Sequence, residues 1–516
     1  AVTLSWLGRG TMQVKTKGGS GRSAAVLAAL MVSLSFTSAQ QVATRSWPNY
    51  AHDPQHSAVS TVAVQPLKTI HWSTPVDLDP PSGEILIHYG SPIITAGNTV
   101  IVPVKTGTDS FRVEAHNGTD GTVLWMQNTN YHAPSSAAFL PSFSPVLSHN
   151  RLYIPAAGGI VLVRENPDQS TGKFSRLAFY GLSNYDADPE TYNKNVEINT
   201  PITVDSQGNI YFGFLVLGST PIGLQSGLAR ISASGVGASI TAASAAADPQ
   251  ITEVNMCSAP ALSQDEGTLY VGVNGPSAGY GYLVSLNSQT LATIGTVRLK
   301  DPSSGLDAWI YSGSSASPTV GPDGDVYFGV LENPFPDHND RGWLLHFDST
   351  LTQTKIPGSF GWDDTPSIVA ASLVSSYQGT SSYLIMTKYN NYKDIGTGNG
   401  VNKLAVLDPN ATESDPIIPS VKVMNEVLTI KGVTPDPTLP AVREWCINTA
   451  AVDPITKSIL ANSEDGKLYR WDLSTNNFSQ RIILSSGIGE AYTPTVIGPD
   501  GTAYAINDAV LFAIGR

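Results

Sequence analysis

Ser317-Pro318-Thr319-Val320-Gly321-Pro322-Asp323-Gly324-Asp325-Val326-Tyr327-Phe328 reads as a short strand opened by proline, a tight turn, and a second strand centred on an aromatic residue. Proline is tolerated at the first residue of a strand, where its missing N–H interrupts no ladder, and Asp-Gly supplies the positive φ that a tight hairpin needs. The unit recurs. Upstream it appears as Ser91-Pro92 with Val100-Ile101-Val102, Ser144-Pro145 with Leu152-Tyr153-Ile154, Thr200-Pro201 with Ile210-Tyr211-Phe212, and Ala259-Pro260 with Leu269-Tyr270-Val271. Downstream Thr493-Pro494 leads to Ala503-Tyr504-Ala505. Thr365-Pro366 reaches its second strand late, at Tyr383-Leu384-Ile385, and Thr449-Ala450 has lost its proline before Ser458-Ile459-Leu460. The prolines from 92 to 366 are spaced by 48 to 59 residues, and a third strand such as Leu344-Leu345-His346-Phe347-Asp348 or Leu468-Tyr469-Arg470-Trp471-Asp472 follows each pair.

One such antiparallel unit cannot bury both of its faces, and radial repetition of four-stranded sheets solves that by packing face on face around an axis. Eight copies predict an all-β, eight-bladed β-propeller, with seven blades as the alternative count. The last copy stops at Leu511-Phe512-Ala513-Ile514, one strand short, whereas Leu67-Lys68-Thr69-Ile70-His71-Trp72 precedes the first copy without a partner. That N-terminal strand is expected to complete the last blade and cover its edge.

Composition agrees with this architecture. Charged residues make up 14% of the 516, against about 25% in an average soluble protein, while Gly and Pro contribute 47 and 35. A hydrophobic content of 41% supports a large core, and the formal charge of −13 argues against phosphate-backbone binding, so nucleic acid is not an expected partner. Lys15, Lys17 and Arg22 without an acid, the short apolar run Ser23 to Phe36, and the small residues Thr37-Ser38-Ala39 together read as a signal peptide over 12–39. Residues 1–11 precede Met12 and are read as an upstream segment, leaving 40–516 as a single propeller domain. The expected protein is exported, periplasmic or extracellular, and monomeric, with no membrane span, since the apolar run is shorter than the ~20 residues a spanning helix needs. Cys257 and Cys446 are the only cysteines, so no disulfide framework is available; they lie in units three blades apart and are predicted to stay unbridged.

Two stretches resemble a known family. Trp47-Pro48-Asn49-Tyr50-Ala51-His52-Asp53-Pro54-Gln55-His56-Ser57 is similar to the opening of exported members of the bacterial quinoprotein-like (PQQ-like) β-propeller repeat family. Ala115-His116-Asn117-Gly118-Thr119-Asp120-Gly121-Thr122-Val123-Leu124-Trp125 resembles that family's docking motif between neighbouring blades. The resemblance implies the propeller fold over residues 45–516, and PQQ with calcium as the cofactor of its dehydrogenase members. Those members carry an adjacent Cys-Cys pair and often a Cys-x-x-Cys-His haem tail, and this sequence has neither. No cofactor is therefore predicted from the residues themselves. His52, Asp53 and His56 are read as hydrogen-bonding tethers for the N-terminal segment.

Residues just before each innermost strand should open onto one end of the central channel. There the chain places Tyr89, Glu197, Asn199, Trp309, Tyr311, Trp362, Asp363, Asp364, Glu444, Trp445, Glu490 and Tyr492. Aromatic faces and carboxylates in one funnel could stack on a sugar or hold a cation. No catalytic residue is assigned. No metal site is predicted either, since the nine histidines show no zincin spacing. Gly275-Pro276-Ser277-Ala278-Gly279 matches a nucleophile-elbow pattern but falls between two predicted strands rather than before a helix. Asp337-His338-Asn339-Asp340 reads as a polar turn. The inserts at 176–198, 232–252 and 409–443 are expected to be irregular surface segments. The expected function is a binding or scaffolding module for an envelope protein, glycan or small molecule, with its site at the channel mouth. The alternative is an enzyme, either a PQQ-type oxidoreductase without the cysteine pair or a carbohydrate-active enzyme.

Overall fold

The computed structural model describes residues 3–5, 13–15, 45–82, 88–134, 140–276, 279–310, 314–486 and 491–516. The chain divides into two units, residues 1–43 and 44–516. Of the first, only the antiparallel pairing of Thr3–Ser5 with Gln13–Lys15 is described. The signal-peptide assignment over 12–39 otherwise lies outside the described residues. Among them no helix is long and apolar enough to cross a membrane.

The second unit is a ring of eight antiparallel blades in sequence order. Blade 1 is Ile93–Ile94, Thr99–Gly107, Ser110–Asn117 and Val123–Thr129; blade 7 is Ala451–Asp453, Ser458–Asn462, Lys467–Asp472 and Asn477–Ile483. Each Pro-led segment forms the short innermost strand, each aromatic-centred segment the buried second strand, and the cores lie between blades. The eighth blade is closed as the sequence predicts. Thr69–Pro75 pairs antiparallel with Val510–Gly515, in the register Thr69 to Gly515 and Ser73 to Phe512. Five blades carry four strands, and in blades 3 and 4 the inner position is split between two short strands, Val196–Ile198 with Thr203–Val204 and Glu253–Val254 with Ala261–Leu262. In blade 5 the outermost strand is reduced to two bridges, Leu344 with Gly358 and Phe347 with Thr354.

The docking motif works as the resemblance implies. Trp125, on the outer strand of blade 1, donates its indole N–H to Pro167 O of blade 2 at 2.7 Å and lies under the Arg164 guanidinium, 4.1 Å from the ring centroid. Aromatic faces attract cations, so this pair locks neighbouring blades in addition to burying area.

The inserts are more regular than expected. Residues 176–198 contain helices α1 (Leu182–Ala187) and α2 (Pro189–Asn195), the latter capped by Asp188 accepting from Thr191 N. Residues 232–252 contain the strand Gly237–Thr241 and helix α3 (Ala242–Ala246), whose left-handed Ala247 ends it. The 409–443 insert is largely a continuation of blade 6 strands, Lys403–Ser414 and Lys422–Lys431. The turn at 337–340 is also less exposed than a polar turn should be. His338 is fully buried, stacks on Trp343 at 3.7 Å and 4°, and bonds Asp415 Oδ2 through Nε2 at 3.1 Å.

The segment ahead of the closing strand decides which end of the channel is covered. Residues 47–65 run round the end where the innermost strands finish and bond to each blade in turn. Trp47 exchanges both backbone bonds with Ile94, at 2.8 and 2.9 Å, and Pro48 O accepts from Leu147 N at 3.0 Å. The Asn49 side chain mimics a strand against Val204, its Oδ1 accepting from Val204 N at 2.9 Å. Pro54, Gln55, Ser57 and Ala58 carbonyls accept from Leu262, Val320, Ile368 and Val452 at 2.7 to 3.0 Å, and Gln65 N donates to Gly501 O at 2.8 Å. So tight a path needs left-handed backbone at Ala51, His52, His56 and Ala58, a conformation that costs non-glycine residues energy unless their surroundings fix it. Asp53 does so by accepting from Ser57 N at 2.9 Å and from Ser57 Oγ, and His56 by its Nδ1 contact to Pro318 O at 2.7 Å.

Candidate functional site at the channel mouth

The opposite end of the channel, where the innermost strands begin, carries the candidate residues. Tyr50 reaches up the axis from the covering segment, its hydroxyl donating to Asn448 Oδ1 and lying 3.2 Å from Thr365 Oγ1. Above it the centre is built around Lys388, which is 1% exposed and stands in the second strand of blade 6, Tyr383–Tyr389. Its ammonium donates to Asp363 O at 3.0 Å and sits 4.9 Å from the Tyr492 ring centroid. An ammonium buried this far needs acidic neighbours, and its charge acts on Asp340, Asp363, Asp364 and Glu444.

His88, Ser315 and Asp363 meet beside the lysine. Ser315 donates its N–H and Oγ–H to Asp363 Oδ1 at 2.6 and 2.8 Å. Having given its one proton to Asp363, Ser315 Oγ accepts from Asn448 Nδ2 at 3.0 Å and from His88 Nδ1 at 2.9 Å. His88 Nε2 then faces Asp363 Oδ2 at 3.4 Å. Burial pushes the Asp363 carboxyl up and, with Lys388 nearby, holds the His88 imidazole well below its ordinary value. The serine gives its proton to the aspartate rather than to the imidazole, so the three side chains do not form a nucleophilic relay. Burial likewise pushes Asp340, Asp364 and Glu444 up to about 7, Glu464 adding to the effect on Glu444.

The twelve residues read from the sequence divide accordingly. Asp363, Asp364 and Tyr492 converge on Lys388, with Tyr492 also against His88 at 3.7 Å between ring centroids. Glu444 lies on their blade 7 side, where its carboxylate, Cys446 Sγ and a Glu464 oxygen fall within 4.8 Å of one another. Trp309 and Trp362 keep part of their surface open. Glu197 and Asn199 belong to a separate patch on blade 3, where burial, then the Asp109 charge, pushes Glu197 up to about 7. Tyr89 turns into the interface of blades 8 and 1 and donates to Asp77 Oδ2 at 3.0 Å, and Trp445 packs edge-on against Tyr469 at 5.5 Å. Tyr311 and Glu490 lie outside the described residues. Lys388 and Ser315 were not among the candidates. A lysine ending the run Leu384-Ile385-Met386-Thr387 is the signal that marks the first; nothing distinguishes Ser315 from its neighbours in a serine-rich stretch.

No protein-family model and no curated protein matches the chain. Solved structures do. A europium-containing methanol dehydrogenase superposes with a TM-score of 0.55 over 90% of this chain and 90% of its own, at 10% identity. The quinohemoprotein alcohol dehydrogenase from Comamonas testosteroni gives 0.50 over 92% of this chain and 81% of its own, at 11% identity. The chain shares its β-propeller fold with these two enzymes. BamB from Moraxella catarrhalis spans 87% of the chain at a TM-score of 0.33, too low a likeness to bear on it. At these identities the shared property of the quinoprotein-like propellers is architecture, and the site must speak for its own chemistry.

PQQ is a tricarboxylate, and the centre of this propeller sets one ammonium, Lys388, among four acidic side chains, so the residues present fit the cofactor only through a bridging cation. Cys257 and Cys446, the only thiols, are buried, separate and unbridged.

Proposed function

We propose that the protein is an exported binding module whose ligand, a neutral or cationic glycan, enters at the channel mouth. The observation that carries this reading is the asymmetry of the channel. Residues 47–65 cover one end by bonding to all eight blades, while the other end presents the half-open rings of Trp309, Trp362 and Tyr492 beside Glu444 and above the Lys388 centre. Rigid aromatic faces next to hydrogen-bonding carboxylates suit the apolar and hydroxyl faces of a sugar, and an excess of carboxylates favours ligands without negative charge. Export rests on the N-terminal sequence pattern. The PQQ-type reading is disfavoured by the acidic lining of the site, and Ser315, which is buried with its hydroxyl on Asp363, is not placed as a hydrolase nucleophile.

A glycan array followed by calorimetry with the best ligand tests this. Trp362→Ala and Trp309→Ala are expected to weaken binding about tenfold each, the loss of one stacking face. Binding unchanged in both variants, cleavage of any bound glycan, or dye-linked alcohol oxidation after adding PQQ and Ca²⁺ overturns the reading.

A further inference from the structure

The outer flank of the ring carries a second feature, opposite in sign to the rest of the chain. A cleft of about 570 Å³ opens where blade 5 has its reduced outer strand. Its walls are the end of the outer strand of blade 4, residues 354–357 of blade 5, and the tip of the blade 6 hairpin, which leans across through Met424 N to Pro357 O at 2.9 Å. Four cations line it, Arg298, Lys300, Lys355 and Lys422, over a floor that includes Leu345 and Phe347.

These cations are only partly neutralised. Arg298 and Lys300 share the single carboxylate of Asp307, at 2.7 and 2.5 Å. Lys355 shares Asp325 with His346, at 2.5 and 2.9 Å. Lys422 bonds Ser414 Oγ at 2.9 Å, and among the described residues no carboxylate lies within ion-pair distance of it. Four cations thus face two carboxylates on a chain whose formal charge is −13. Arg298 and Lys300 are about half exposed, so their charge reaches solvent.

We propose that this cleft docks an acidic, extended peptide segment of a partner protein. Charge complementarity selects the acidic side chains, the apolar floor accepts alternate residues pointing inward, and the irregular 354–358 segment leaves room beside a strand for another extended chain. The chain's own residues 1–43 contain no Asp or Glu and do not match the cleft in charge. The proposal is independent of the glycan reading, because it uses a different surface and a different ligand chemistry.

The test is fluorescence anisotropy with a labelled peptide of alternating Glu and Val, against its Gln–Val counterpart, on the full chain. The Glu–Val probe is expected to bind, about tenfold tighter than Gln–Val, and to weaken between about 50 and 300 mM salt. Lys300→Glu and Lys422→Glu are each expected to weaken it about tenfold, and Ser420→Trp, which fills the cleft without changing charge, to abolish it. Lys431→Glu, at the far end of the same hairpin strand, should leave it unchanged, and circular dichroism of each variant guards against misfolding. Absence of binding, equal binding of Gln–Val, insensitivity to Lys300, Lys422 and Ser420, or complete displacement by glutarate or inorganic phosphate at low concentration overturns the proposal, the last by making the cleft a small-anion site.

Discussion

Trp72 of the closing strand stacks on His116 of blade 1, ring centroids 5.6 Å apart at 17°, and donates its indole N–H to Gly118 O at 2.9 Å. It is to blades 8 and 1 what Trp125 is to blades 1 and 2. The ring is therefore fastened at its seam by the backbone ladder to Val510–Gly515, by this indole, and by the Tyr504 hydroxyl, which donates to the same Gly118 O at 3.2 Å. Trp72→Ala should lower stability by about 2 kcal/mol, less than the ~3–5 of a fully buried tryptophan because part of the ring is open to solvent. Urea denaturation checks it, and an unchanged midpoint would show that the ladder and the Tyr504 hydroxyl hold the seam without it.

Tyr50 links the covering segment to blades 6 and 7. Tyr50→Phe keeps the ring in its small cluster with Ala51, Ala58 and Ala259 but removes the hydroxyl's buried bond to Asn448 Oδ1, which keeps only Thr449 Oγ1 as a donor, and its contact with Thr365 Oγ1. An unmade buried hydrogen bond costs about 1–3 kcal/mol, so a measurable loss of thermal stability with an unchanged far-ultraviolet spectrum is expected.

Stability should depend on pH through the channel centre. Burial holds Asp364 at about 7 in the folded protein, against an ordinary 3.8. Between those values the folded form keeps a proton that the unfolded chain has released. This group's contribution therefore declines as pH rises from about 4 to about 7, and levels off above. Asp340 and Glu444 act in the same direction. Asp364→Asn should raise stability at pH 8 and flatten the slope between pH 4 and 7, as read by melting temperatures across that range; a parallel shift at all pH values would contradict the assignment.

Both thiols should be silent in the native state. Cys257 and Cys446 are buried and unbridged, and burial pushes the Cys257 thiol up to about 12. A thiol reagent at pH 8 is expected to report fewer than about 0.1 reactive groups per folded chain and two after denaturation, without reductant. A single bridge formed on purification would give none.

Much of the ring is legible in the sequence because its units repeat the same physical device. Pro318, Asp323-Gly324 and Tyr327 each do a job that only a few residue types can do, so the pattern survives divergence, and the lone strand before Ser91 betrays the closure. The covering segment is harder to see. Its work is done by the carbonyls of Pro54, Gln55, Ser57 and Ala58 and by non-glycine left-handed backbone, neither of which leaves a compositional trace. The mouth was legible in part. Asp363, Asp364 and Tyr492 fall where strand starts must lie, yet Tyr89, three residues before Pro92 as Asp363 is before Pro366, turns into a blade interface, as does Trp445 ahead of Ala450, because which side of a strand start faces the axis depends on the local twist. The cations of the flank cleft come from three blades and are unrelated in sequence spacing.

The residues that cover the channel precede in the chain every blade they bind. Gln65 accepts from the backbone of Arg516, and Val64 bonds Asp453. A chain emerging from the ribosome holds Trp47 to Gln65 long before blades 5 to 8 exist to receive them, so this stretch stays unsatisfied until the eighth blade has emerged. Non-local pairing of this kind raises contact order and slows folding. Assembly of the ring is thus timed by its eighth blade, and a lesion in Val510–Gly515 would release Thr69–Pro75 with it.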